Sequence, residues 1–386
     1  MDFERIFSKK NWQGKNWIRQ FNRERIDAGR DLVLFLVRIL FDHSLISKHK
    51  NQKLDSTQIK KVLIFHFDDK IGDMVINTIL FRELKKINAD LKIDIVTGKN
   101  SFDLIDGHPF LNQIFIFKKG FIQTLLFARK MKQEKYDLVI DPRLMTDART
   151  IYILNQVQPK WAIGFQKQNY KIYTDSINVD FNMIHMSEKM KSVLALLNIQ
   201  KIDLSYSLIS TLNTKAEIET VLKKYELQNH IVLNLYAGAR FRSFLPKTAE
   251  VIIRLIRSLN IQTPIVLVGP PSKSNEIQHL AQGLNEKNVL FIPELQKISS
   301  LSELIHKAKL VISPDTSIVH IASAFNTPVI DVICDDSEQN EKNTLQWGPK
   351  SSFSKMIIAS GKTDGEVDVN TFKTDDLKNA LNALFP

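Results

Sequence analysis

From Lys60 onward the chain alternates short apolar runs with stretches of helical periodicity, and this alternation constrains the fold more than any other feature. The runs Val62–Phe67, Lys92–Thr97, Gln113–Phe117, Asp137–Asp141 and Trp161–Phe165 are each brief and almost continuously apolar. Strands covered on both faces read this way. Between them, Val75, Ile79, Leu80, Leu84 and Ile87 recur at helical spacing, as do Met186, Met190, Val193, Leu194 and Leu197. A second series opens near His230 with strands expected at Ile231–Tyr236, Pro264–Val268, Val289–Ile292, Leu310–Ser313 and Pro328–Ile333. Its helices are expected at Thr248–Leu259, Lys273–Leu284, Leu301–Ala308, Ser317–Phe325 and Thr374–Leu384. Strand and helix in alternation imply parallel βαβ units. The chain therefore reads as an α/β protein of two Rossmann-like domains, 59–215 and 216–386, joined through the polar stretch Ser205–Asn229. In open α/β sheets ligands bind at the carboxyl ends of strands, which makes the cleft between two such domains the expected active site.

Residues 1–58 differ from the rest. Arg5, Lys9, Lys10, Lys15, Arg19, Arg23, Arg25, Arg30 and Arg38 are interleaved with Trp12, Trp17 and Phe21, and an apolar helix is expected over Leu32–Phe41. A basic segment with tryptophans and an apolar face suits an anionic membrane surface; a pair of helices packed on the body of the protein fits equally. Ser47–Gln58 reads as a linker. The net charge of +11 favours anionic partners. No basic run interleaved with aromatics makes an RNA platform, and neither zinc nor helix-turn-helix spacing occurs, so nucleic acid is not an expected partner. Met1-Asp2-Phe3-Glu4 is acidic where a secretory signal is basic, and the apolar Leu32–Phe41 run falls short of the ~20 residues that span a bilayer. Cys334 is the only cysteine, as suits a reducing compartment. A cytoplasmic protein is expected, at most peripheral on a membrane.

Four strand-to-helix loops carry candidate chemistry. Phe67-Asp68-Asp69-Lys70-Ile71-Gly72-Asp73-Met74 puts Asp73 near a helix start at the carboxyl end of a strand, a place for either a helix cap or a general base. Ser313-Pro314-Asp315-Thr316-Ser317-Ile318-Val319-His320 opens a helix whose free N–H groups suit phosphate, with Asp315 as cap or hydroxyl acceptor and His320 as core residue or ligand contact. Tyr236 to Lys247 offers Gly238 for close backbone approach and Arg240, Arg242 and Lys247 as cations for a diphosphate. Gly269-Pro270-Pro271-Ser272-Lys273 is placed to border a nucleotide base. Neither a G-x-G-x-x-G fingerprint, a P-loop nor a G-x-S-x-G elbow is present. No metal or cofactor is expected.

Taken in order, these segments resemble glycosyltransferase family 9, the ADP-heptose:lipopolysaccharide heptosyltransferases. The resemblance runs from about Lys61 to Ile333. It rests on Val62-Leu63-Ile64 through Ile71-Gly72-Asp73-Met74-Val75, on Tyr136 to Asp141 with Ile163-Gly164-Phe165, and on Ala308 to Thr316 with His320-Ile321-Ala322. It implies a GT-B fold and inverting, metal-independent transfer of heptose from ADP-heptose to a lipopolysaccharide or lipooligosaccharide inner core. The family's Gly-Asp base falls on Asp73, and its donor motif falls on Asp315, Thr316 and His320. Gly238, Arg240, Arg242, Lys247, Gly269 and Ser317 are the further donor-side candidates, and Lys70, Gly72 and Arg143 the acceptor-side ones. Ser317 stands where the family has glycine, Ser243 where Lys or Arg is common, and Cys334-Asp335-Asp336-Ser337 where Gly-Pro-Thr is usual. These departures leave open another nucleotide sugar, another acceptor such as a capsule or glycoprotein glycan, or an inactive nucleotide-binding relative.

Overall fold

The computed structural model describes residues 29–43, 54–180, 184–286, 288–335 and 343–385. Trp12, Trp17, Phe21, most of the expected linker, and Asp336 and Ser337 lie outside the described residues. The helices are α1 (29–41), α2 (Ile71–Leu84), α3 (Lys99–Ile105), α4 (Phe121–Gln133), α5 (Ala148–Val157), α6 (Glu188–Leu196), α7 (Leu212–Lys224), α8 (Pro246–Ser258), α9 (Ser274–Gly283), α10 (Ile298–His306), α11 (Ser317–Ala324), α12 (Asn343–Trp347) and α13 (Thr374–Leu384). The strands are β1 (Lys61–Phe65), β2 (Lys92–Thr97), β3 (Gln113–Ile116), β4 (Leu138–Asp141), β5 (Trp161–Phe165), β6 (Asp175–Ile177), β7 (Ile231–Asn234), β8 (Ile265–Val268), β9 (Val289–Leu290), β10 (Leu310–Pro314), β11 (Val329–Cys334), β12 (Ser354–Ala359), β13 (Lys362–Thr363) and β14 (Glu366–Val367). All ten expected strands form, within a few residues of their expected bounds. The polar stretch read as a joint contains α7, whose buried residues are only Ile218 and Val221, too few for a visible apolar stripe.

The chain divides into two compact units, Met1–Lys53 with Lys118–Ser176, and Leu54–Phe117 with Ile177–Pro386. In the smaller unit β4 and β5 pair in parallel, Leu138 opposite Trp161 and Asp141 opposite Gly164. α1 is tied to this unit by its C-terminal end. The Arg38 guanidinium donates to the Asn169 carbonyl at 2.7 Å and lies 4.7 Å over the Tyr170 ring. Phe41 meets Tyr152 edge to face, and the Asp42 carboxylate accepts from the Ile172 amide at 2.9 Å.

In the larger unit β1, β2 and β3 form a parallel ladder. Its β1 residues Val62 to Phe65 are buried, as a doubly covered strand requires. The second sheet is all parallel in the order β12-β11-β10-β7-β8-β9. Counting its strands along the chain from β7, the order is 6-5-4-1-2-3, the doubly wound arrangement, which reverses direction between β7 and β10. Ile231, Leu233, Ile312, Ile330 and Val332 on one face pack with Ile252, Ile256 and Leu377 into a single core. The opposite face at the strand ends is polar. Asn234, Ser313 and Asp331 are all buried there, with Ser313 in register with Asp331.

Candidate active site

Two loops meet at the reversal between β7 and β10. Such a switch point leaves the loops after neighbouring strands diverging to opposite faces, and a crevice opens between them. One loop follows β7 and contains the single 3₁₀ turn Arg240–Arg242; the other follows β10 and starts α11. Arg242 and the buried Asp315 carboxylate bridge them as an ion pair. Burial raises the Asp315 pKa, and the Arg242 charge opposes that shift. Thr316 is the N-cap of α11: its hydroxyl accepts from the Ile318 amide at 3.2 Å, and the Asn234 side-chain amide donates to the same oxygen at 3.2 Å. The Ser313 hydroxyl accepts from Asn234 at 3.0 Å. The start of α11 is thus held by a polar network rooted in the ends of β7 and β10.

The Phe67–Met74 loop distributes its three aspartates among different tasks. Asp69, at φ 57°, accepts from the Asn100 and Ser101 amides at 3.2 and 2.8 Å and so caps α3. Asp68 lies 3.7 Å from His66 and 4.0 Å from Lys70. Asp73 sits in the first turn of α2, inside the helix rather than at its N-cap, which is Lys70. Its carboxylate is a quarter exposed and faces the exposed Lys70 ammonium at 4.0 Å. Of the two roles open to Asp73, capping is the one the geometry does not give it.

Gly72 brings this loop to α11. A Cβ at position 72 would stand 3.2 Å from His320 Cδ2 and 3.8 Å from Ser317 Cα. Glycine is what permits the two helix starts to touch, so Asp73 and the Asp315–Thr316–Ser317 turn are brought together. His320 is buried between Tyr206 and Trp347, at ring-centroid distances of 6.2 and 6.0 Å. Burial, with a smaller contribution from neighbouring His185, holds its pKa down to about 3, so it is neutral at physiological pH. His185 is itself half-buried, accepts at Nδ1 from the Ser187 amide at 3.1 Å, and has Nε2 3.0 Å from the Gly348 carbonyl.

The other expected residues divide into two groups. Gly238 has open space around its Cα, and Arg240 and Lys247 project into solvent beside it. Gly269 is occupied differently: a Cβ there would stand 2.6 Å from the Tyr236 ring and 2.9 Å from Ile277, so this glycine makes room for protein rather than for a ligand. Arg143, in the smaller unit, is engaged internally. Its guanidinium donates to both Asp141 oxygens at 2.8 and 3.1 Å and to Thr150 at 2.7 Å.

Asn234, His185, Tyr206 and Asp331 had not been singled out. Asp331 left a signal in the sequence, a carboxylate inside the apolar run Val329-Ile330-Asp331-Val332-Ile333. Both its oxygens are buried without a hydrogen-bond partner among the described residues. Burial and the Asp315 charge raise its pKa well above the carboxylate range, against the pull of Arg242. Asp331→Asn, which cannot ionise, is expected to raise stability at pH 7 by about 2 kcal/mol, because it removes the cost of keeping the buried carboxyl protonated, ~1.4 kcal/mol for each pH unit above the ordinary carboxylate value. Urea unfolding measures it, and an unchanged or lower midpoint would show that Asp331 is satisfied.

Residues 124–351, more than half of the chain, match the family described as glycosyltransferase family 9 (heptosyltransferase). The putative lipopolysaccharide heptosyltransferase 4 of Escherichia coli K12 is 23% identical over 351 residues, which cover 88% of this chain and 91% of that protein. Among solved structures, a glycosyltransferase family 9 protein from Veillonella parvula superposes with a TM-score of 0.71 at 14% identity, covering 87% of this chain and 99% of that one. The E. coli ADP-heptose lps heptosyltransferase II gives 0.68 at 14% identity, with 84% and 98% covered. These likenesses establish the GT-B fold. The chain belongs to glycosyltransferase family 9 and is a glycosyltransferase.

Proposed function

We propose that this glycosyltransferase moves a heptose from ADP-heptose to the inner core of a lipopolysaccharide or lipooligosaccharide, with inversion and with Asp73 as general base. The observation that carries the reading is the contact of Gly72 with His320 and Ser317, which seats a half-open carboxylate beside the switch-point loops. The proposed division is the one read from the sequence, with 59–215 binding the acceptor and 216–386 the nucleotide sugar. Asp73 takes the proton from the acceptor hydroxyl as that oxygen attacks the anomeric carbon. The glycosidic bond forms, the bond to the diphosphate breaks, and the electron pair leaves with the diphosphate. Negative charge growing on the leaving group is met by Arg240, Lys247 and the N-terminal amides of α11. No metal is invoked in this route. The relatives' names support a heptose donor at the level of the family, Ser317 stands where the family has glycine and leaves another nucleotide sugar open, and the sugar itself is the proposal.

A panel of ADP-, UDP- and GDP-sugars, read by calorimetry and by product formation, tests it. ADP-heptose is expected to bind and turn over best, and Arg240→Ala to weaken its binding about tenfold, the size of one charge-assisted hydrogen bond. Preferred turnover of a UDP- or GDP-sugar would remove ADP-heptose while leaving the base assignment standing.

A further inference from the structure

The helix α1 is apolar almost all round, and its wider apolar arc is exposed. At about 100° per residue, Leu32, Val33, Phe35, Leu36, Ile39 and Leu40 fall on one arc. All six are between 49% and 61% exposed. The opposite arc is the one that packs: Arg38 and Phe41 anchor it to Asn169, Tyr170 and Tyr152. A helix on a water-soluble surface turns its apolar stripe inward. Here the inward side, with Leu34, Val37, Arg38 and Phe41 half-buried, leaves six large apolar residues outward, a contiguous apolar patch of the kind that marks an interaction surface.

α4, in the same compact unit, repeats the arrangement. Its inner face is Thr124, Ala128 and Met131, while Phe121, Ile122 and Leu126 are 79%, 64% and 64% exposed. Basic residues surround this second patch: residues 118–135 contain Lys118, Lys119, Arg129, Lys130, Lys132 and Lys135 against a single acid, Glu134. The charge of the whole chain is partitioned in the same way. The smaller unit holds 23 Lys and Arg against 11 Asp and Glu, or +12, where the entire chain carries +11. The larger unit, which contains the candidate active site, is therefore close to neutral.

We infer that the smaller unit docks on an anionic lipid bilayer, with the outward face of α1 and the Phe121–Leu126 face of α4 entering the headgroup region. Apolar side chains supply the buried area, and each Lys or Arg near such a surface adds about 1 kcal/mol. The 13 described residues of α1, about 20 Å long, are too few to span a bilayer. Among the described residues no helix is long and apolar enough to cross a membrane. A second copy of the chain is the competing occupant, but the basic residues around Phe121–Leu126 would meet their own kind across such an interface, whereas an anionic surface attracts them.

The test uses the full chain and contains no sugar donor, so its result is independent of the heptose reading. Sedimentation is measured with phosphatidylethanolamine vesicles containing phosphatidylglycerol, and with phosphatidylcholine vesicles, at low and high salt. The protein is expected to partition onto the anionic vesicles at least tenfold more strongly than onto phosphatidylcholine, and salt to weaken the binding. L36E/L40E and I122E/L126E, all at exposed positions, are each expected to lower that partition at least tenfold, with circular dichroism unchanged. Absence of binding by the unaltered chain would overturn the proposal, as would binding by both variants as strong as that of the unaltered chain. So would a dimer in light scattering that L36E/L40E dissolves, since the face would then belong to a second copy.

Discussion

Asp73→Asn is expected to lower turnover by about 10² to 10⁴-fold, the range by which a positioned general base accelerates proton transfer. The substitution is isosteric and removes a carboxylate that neither caps a helix nor accepts an amide, and whose neighbouring cation, Lys70, is itself exposed at 4.0 Å. Fold and donor affinity should therefore be unchanged, which calorimetry with the donor and a thermal melt both check. Asp69→Asn provides the contrast. It weakens two amide contacts at the start of α3 and is expected to cost about 1 kcal/mol of stability, with the chemistry kept. If Asp73→Asn turned over at close to the unaltered rate, position 73 would have no part in the proton transfer, and the half-open carboxylate would be a surface charge.

The second large effect is on stability in mild acid. His320 and His185 are held neutral by burial, at pKa values of about 3 and 4. Their unfolded-state value is ~6.5, so below that pH the unfolded chain binds protons that the folded chain refuses. Their contribution is whole above pH 6.5 and is lost as pH falls toward 4; by pH 5 it has fallen by about 2 kcal/mol for each. Asp331 works the other way. Its folded pKa is raised, so it destabilises the fold at neutral pH, and that cost shrinks as pH falls toward the unfolded carboxylate value. Between pH 7 and pH 5 the two effects oppose one another in the natural chain. In Asp331→Asn the opposition is gone, and stability is expected to fall by about 4 kcal/mol over that interval. Urea unfolding at four pH values compares the slopes. Parallel curves for the two proteins would mean that Asp331 does not stay protonated in the fold.

What the sequence makes legible follows from what each element buries. β1, β5 and β10 are covered on both faces, so each reads as an unbroken apolar run and is placed within a residue or two. α4 defeats the same reasoning, since its buried face is Thr124, Ala128 and Met131 while its large apolar residues point outward. β12 is a sheet edge whose apolar run is only Met356 to Ala359, with Met356 and Ile358 exposed, and no strand is expected there from the sequence. In the active site, Asp73, Asp315 and His320 were visible because each follows a strand in a strand-to-helix loop. Asn234 is not visible in this way, and Asp331 shows only as a carboxylate inside an apolar run, because the meaning of both lies in register. Ser313 opposite Asp331 on a neighbouring strand is a relation between segments that no local pattern contains. Gly269 shows the reverse error: a glycine in the right kind of loop turns out to be reserved for the Tyr236 ring.

The contact of Gly72 with His320 also bears on how the chain tolerates change. Positions 73 and 320 lie about 250 residues apart along the chain. If each were located only through the strands, helices and loops between them, every small shift would add to the misalignment of the two loops. One van der Waals contact between the two helix starts resets that accumulation, much as two machined parts are referenced to a common face. Substitutions in the long intervening segments are therefore free to drift so long as α2 and α11 keep their seat, and that seat includes a residue that has no side chain at all.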